Sequence, residues 1–165
     1  MTHLYAPYRE KYAKDKNKNQ KPCVFCKIVN SPKDDIKNKV LYRAKDFFIV
    51  MNKYPYSPGH TMVIPNFHTD SIEYLDVDVW ININKATQKM LQITKNILDA
   101  KGINIGMNLG EVAGAGISKH IHLHIVPRWA NDSNFITTIA DTRVYSIDFD
   151  NVYTKLKNAV QGIFD

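Results

Sequence analysis

The sequence predicts an α+β fold: an antiparallel sheet of about five strands, one long helix packed on it, and a C-terminal helix. Three observations carry that expectation. In the run KHIHLHIVPRW at residues 119–129, histidines alternate with Ile121, Leu123 and Ile125, the period of a strand with one chemical face and one packing face. Residues 40–43, 47–51 and 61–65 are short apolar runs separated by a charged turn and a Pro/Gly loop, which reads as consecutive antiparallel strands. Between residues 77 and 100, Trp80, Ile83, Met90, Thr94, Ile97 and Leu98 recur at helical spacing, and Gly102 supplies the expected stop.

The first 21 residues form a basic arm. They carry six Lys/Arg against two acidic residues, so most of the net charge of +6 belongs to them. Charge confined to an arm argues for a solvated or docked extension and against a DNA-binding groove. Tyr5, Tyr8 and Tyr12 stand at helical spacing within it, as in a segment that packs on its own domain or a neighbouring subunit. The arm is too polar for a secretory signal, and no run of about 18 apolar residues follows. A cytoplasmic protein without membrane or nucleic-acid partners is expected. At 165 residues and 44% hydrophobic content, one domain can bury an adequate core.

After the arm, residues 23–29 read as a short helix or turn ending near Asn30. The loop 52–59, with Pro55, Pro58 and Gly59, joins the strands on either side of it as a hairpin. Asp70, Ser71, Ile72 and Glu73 have capping-box spacing, so a helical turn capped by Asp70 is expected. A strand over 103–109 is expected to reach Asn108 and to join the histidine strand, antiparallel, across the loop 110–118. Residues 129–135 read as irregular. Asp148 or Asp150 caps a final helix carrying Val152, Leu156 and Val160.

The chemistry concentrates on His120, His122 and His124. Neutral imidazole is a nucleophile near physiological pH, and its protonated form balances the charge of a phosphate. Upstream, the glycine-rich stretch 113–116 lets backbone approach a phosphate and present N–H groups to it. A rival reading makes the three histidines ligands of a catalytic metal, since His-x-His on a strand can converge on one ion. The two cysteines, Cys23 and Cys26, stand as CVFC. In a reducing compartment that spacing favours a metal or redox pair over a structural disulfide, and no βαβ pattern surrounds it to favour redox chemistry.

HIHLHIV at 120–126, together with PYSPGHTMVIP at 55–65 and NLGEVAG at 108–114, resembles the histidine triad (HIT) family of nucleotidyl hydrolases and transferases. The likeness spans roughly residues 22–143, which divides the chain into the arm, 1–21, and one HIT-like domain, 22–165. The resemblance implies the same α+β fold and a homodimer in which two protomers join their sheets. It implies that His122 attacks the α-phosphorus of an adenylated substrate and leaves a nucleotidyl-histidine, with His120 and His124 completing the catalytic set. Nucleotide-binding positions implied are Asn52, on the ribose, and Asn108, Gly114, Ala115 and Gly116, around the phosphate. His60 is expected to buttress the active strand. Relatives with a CxxC hold a structural zinc through residues that correspond here to Cys23, Cys26, His68 and His120.

The link from the Ala-Gly pair to His120 is one residue longer than in many members of the family. It places Gly116 and Ile117 where a Gln or hydroxyl residue would serve the leaving group. That link, the PRW ending and NDSNF resemble a bacterial branch that includes diadenosine tetraphosphate phosphorylases. The expected reaction is cleavage of dinucleoside polyphosphates with water as acceptor, or alternatively with inorganic phosphate. A reading of another class is a purine nucleotide-binding module without turnover.

Overall fold

The computed structural model describes residues 22–130, 139 and 148–164. The basic arm with its three tyrosines, and the stretch following Ala130, lie outside them. Nine regular elements follow one another: α1 (Val24–Val29), α2 (Asp35–Asn38), β1 (Val40–Arg43), β2 (Phe47–Met51), β3 (Thr61–Pro65), α3 (Val77–Leu98), β4 (Gly102–Gly106), β5 (Leu123–Arg128) and α4 (Phe149–Phe164), counting described residues and leaving 3-10 turns unlabelled. The strands form one antiparallel sheet in the order β1-β2-β3-β5-β4.

Alternation along the strands divides the sheet into two packing faces. Ile49, Val63, Leu123 and Ile125 face one core with Met90 of α3 and Leu156 of α4. Phe48, Val50, Met62 and Ile64 face the other way, against Phe25 and Ile28 of α1. The long helix thus covers one face, and the short cysteine-bearing helix covers part of the other. His124 pairs with Met62 across the β3/β5 ladder, which places it on the α1 side.

Strand and helix positions follow the sequence reading closely, and the departures have local causes. Helix α3 is capped by Asp76, whose Oδ1 accepts the N–H groups of Asp78 and Val79, satisfying two of the donors a helix start leaves open. It ends at Leu98 with Asp99 in the left-handed region, φ 51°, so Asp99 rather than Gly102 turns the chain. Ile97 falls on the outer side of the helix and is exposed, while Ala86, Thr87 and Ile93 complete the buried stripe.

The turn before α3 has no Asp70 cap. Ser71 flanks it, and the Thr69 hydroxyl accepts the Ser71 N–H. β4 stops at Gly106, so Asn108 sits in the connecting loop. At α4, Asp148 is the capping acceptor for Asp150 N–H and Asn151 N–H, and Val152, Leu156 and Val160 are buried as expected. Tyr153 Oη and Lys157 Nζ donate to carbonyls of edge strand β1, covering groups that would otherwise invite another strand.

Candidate active site

The ladder of β5 begins only at Leu123, so His120 and His122 precede it. Their segment is held instead by Ile121 N–H donating to Thr69 O. Ile121 still points into the α3 core. The histidine side is covered as well: His120 is fully buried and His122 is 6% exposed. The covering group is Phe25, whose ring lies 5.5 Å from that of His120 and 5.1 Å from that of His122. Phe25 escaped the sequence reading, although its place between two cysteines expected to share a metal with His120 was a usable signal.

Hydrogen bonds fix the proton positions on these rings, because a carbonyl can only accept. His122 Nδ1 donates to His120 O at 2.9 Å. In the neutral ring, Nε2 is then the nitrogen with the lone pair. His120 Nε2 donates to Pro65 O at 2.9 Å, which leaves its Nδ1 bare. Burial lowers the basicity of both: His120 is pushed down to about 4 against the opposing pull of Pro65 O, and His122 is lowered for the same first reason. Both are neutral at physiological pH, the form that can use a lone pair.

His124 is governed from β3 and the loop before it. His60, fully buried, accepts Tyr56 N–H at its Nδ1, 3.1 Å, with the Asn52 amide nitrogen 3.4 Å from the same atom. Its proton therefore sits on Nε2, which lies 2.9 Å from His124 Nδ1. His124 must accept there, so its own proton is on Nε2. The expected buttressing position of His60 is thus what the fold provides. Asn52 Oδ1 also accepts Tyr54 N–H, which is the turn-forming role of an Asn at the head of a hairpin loop. Gly59 adopts φ +73°, and a Cβ there would lie 2.2 Å from Leu98 Cδ1.

The glycine loop is arranged differently from an open ring of phosphate donors. Gly114 N–H donates to Glu111 O and Ala115 N–H to Gly110 O. Gly114 has φ +92°, a conformation that a side chain would strain, and its Cα lies beside the Asn108 amide, where a Cβ would stand at an ordinary contact distance of 3.7 Å from Nδ2. Ile117 packs against the apolar cluster of Phe25 and Ile28.

A second cluster adjoins the histidines. The ligating atoms of Cys23, Cys26, His68 and His120 all lie within 4.8 Å of one another. His120 Nδ1 is 3.3 Å from Cys23 Sγ, 3.7 Å from Cys26 Sγ and 3.3 Å from His68 Nδ1, and Cys26 Sγ is 3.1 Å from His68 Nδ1. Tetrahedral zinc bonds of about 2.0–2.3 Å imply ligand-to-ligand edges of roughly 3.3–3.8 Å. The set fits a metal ion: two free thiols and a bare imidazole nitrogen converge, with no disulfide between the cysteines. Burial and the neighbouring Cys23 raise the Cys26 thiol to about 11, so a cation would be needed to hold it as thiolate.

Comparison with known proteins places this geometry. The HIT domain matches residues 33–131. An AP-4-A phosphorylase of Mycobacterium tuberculosis is 36% identical over 151 residues, covering 87% of this chain and 76% of that protein. A HIT-like protein of Methanocaldococcus jannaschii is 32% identical over 135 residues, covering 82% of this chain and 98% of that one. Among solved structures, a zinc-bound histidine triad family protein from Mycobacterium smegmatis matches with TM-score 0.69 at 28% identity, covering 86% of this chain and 95% of that chain. With sequence, sheet and histidine cluster in agreement, the chain belongs to the HIT domain family.

Proposed function

We propose that the chain is a nucleotidyltransferase or hydrolase that cleaves dinucleoside polyphosphates at the α-phosphorus through a nucleotidyl-His122 intermediate. One observation carries the reading: His122 Nδ1 is tied to His120 O, so the lone pair is on Nε2. That lone pair attacks phosphorus, the bond to the bridging oxygen breaks, and the remaining nucleoside polyphosphate leaves with the electron pair. The acceptor then attacks the same phosphorus and returns Nε2 to its free state.

The Nε2–H of His124 is suited to a phosphoryl oxygen as charge builds there. With the N–H groups of Gly114 and Ala115 engaged inside their loop, Gly114 and Ala115 shape the phosphate site, and Asn108 and the Gly116 N–H are its donors. Asn52 retains a lone pair on Oδ1 and an N–H for a ribose hydroxyl. His120 acts through its carbonyl on His122.

Zinc suits the neighbouring donor set, which the zinc-bound mycobacterial relative supports. Cys23, Cys26, His68 and His120 would hold it as a closed structural site that clamps α1 to the segment before β5. A homodimer joined through the sheets accords with the exposed edge strand β4, where Ile105 faces outward. A cytoplasmic setting accords with the reduced thiols.

The likeness to an AP-4-A phosphorylase favours inorganic phosphate as acceptor, with water as the second reading. Diadenosine tetraphosphate distinguishes them: phosphate as acceptor gives ADP and ATP, and water gives AMP and ATP. ADP formation that rises with phosphate is expected, and it should vanish in His122→Asn while the melting temperature stays within a few degrees of wild type. Undiminished cleavage by His122→Asn, or AMP binding without any turnover, refutes the proposal.

A further inference from the structure

We propose that Tyr56 is a positioning residue that holds His124 in its working tautomer, acting through His60. Three contacts converge on this one side chain and its backbone. Tyr56 N–H donates to His60 Nδ1 at 3.1 Å. The Tyr56 ring lies flat on the His60 ring, with centroids 4.8 Å apart and planes 19° from parallel. The same ring lies beside His124, with ring centroids 5.9 Å apart and planes inclined at 54°. Backbone and side chain of one residue thus fix both the protonation and the plane of His60.

The consequence reaches His124 by elimination. A neutral imidazole has one N–H and one lone pair. With Nδ1 of His60 accepting from Tyr56, only Nε2 can carry the proton, and the 2.9 Å contact to His124 Nδ1 then has one possible direction. If the stack is lost and His60 rotates out of this plane, His124 becomes free to place its proton on Nδ1. Its Nε2 would then present a lone pair toward phosphoryl oxygens, a repulsive contact in place of a donor. The tyrosine lies in the loop between β2 and β3, the loop is fastened by Ser57 Oγ donating to the buried Pro127 O, and nothing about a tyrosine between two prolines marks this role in the sequence.

The rate effect rests on the proposed chemistry at His122, whereas the tautomer effect does not, so the test reads both. In Tyr56→Gly, kcat for diadenosine tetraphosphate should fall about 10- to 100-fold, part of the roughly 100- to 1000-fold that outright loss of one donor to the developing charge costs, while KM changes less than about twofold. Tyr56→Phe, which keeps the ring stack, should restore kcat to within about threefold of wild type. Long-range proton–nitrogen spectra of histidine-labelled protein should show His124 as the Nε2–H form in wild type and Tyr56→Phe, and as a mixture in Tyr56→Gly.

Should Tyr56→Gly fail to fold, Tyr56→Leu fills the space without a flat face and carries the same expectations. The inference is overturned by an unchanged kcat, by a rise in KM alone, or by a single Nε2–H form of His124 in the folded Gly or Leu variant. A wild type that folds but does not cleave the substrate refutes the proposed function, and the spectra still decide the role of Tyr56.

Discussion

Proton placement at three rings decides the chemistry at the residue scale. Each is set by a backbone group: Pro65 O for His120, His120 O for His122, and Tyr56 N–H by way of His60 for His124. Backbone atoms cannot rotate away as side chains do, so the first two tautomers are built into the fold, whereas the third holds only while the His60 ring keeps its plane. His60→Leu removes both the acceptor for Tyr56 N–H and the donor to His124. Losing the part-buried hydrogen bond from Tyr56 N–H is expected to destabilise by about 1 kcal/mol, and mis-setting His124 as a donor to lower kcat by about 100-fold. Urea titration and steady-state turnover check the two parts, and a variant with normal kcat contradicts the relay.

Among the elements, α1 matters beyond its six residues, because it brings Cys26 and Phe25 to the histidines. Its C-terminal carbonyls are held by Arg43 of β1, with Nη2 2.7 Å from Ile28 O, and the same guanidinium grips Asp35 through Nε and Nη2. The pair is about a quarter exposed, so solvent screening reduces its worth. Arg43→Met is expected to lower stability by about 1–2 kcal/mol and to weaken zinc retention, measured by unfolding and by competition with a chromogenic chelator. Unaltered retention in the folded variant would show that α1 holds its place without the clasp.

What the sequence made legible at this scale follows from periodicity. Strands β1, β2 and β3 fell where short apolar runs meet turn residues, and α3 where apolar positions recur. The histidine pattern predicted sides correctly for Ile121, Leu123 and Ile125. It could not show that the chemical side is also covered, since Phe25 comes from a helix far upstream in the chain. Nor could glycine-rich composition show that the N–H groups of Gly114 and Ala115 are satisfied within their own loop. The four-residue metal set, drawn from three separate segments, was reached through family resemblance because no spacing rule links Cys26 to His68.

For the molecule as a whole, the metal cluster and the histidine site are joined at one residue, His120, which offers Nδ1 to the cluster and its carbonyl to His122. Purified protein is expected to carry one zinc per chain by mass spectrometry, and Cys26→Ser to lose it. Zinc at a hundredfold excess over Kd stabilises by about 2.7 kcal/mol. Chelation should therefore lower Tm by roughly 5–10 °C for a chain of this length; an unchanged Tm argues against the site. Among the described residues no helix is long and apolar enough to cross a membrane.

The most direct test of the proposed chemistry is rapid acid-free quenching of the enzyme with diadenosine tetraphosphate labelled at the α-phosphorus, followed by peptide mapping. Label on His122 that is released by mild acid and disappears in His122→Asn is the expected result. Turnover with no trapped label, or label on another residue, contradicts it.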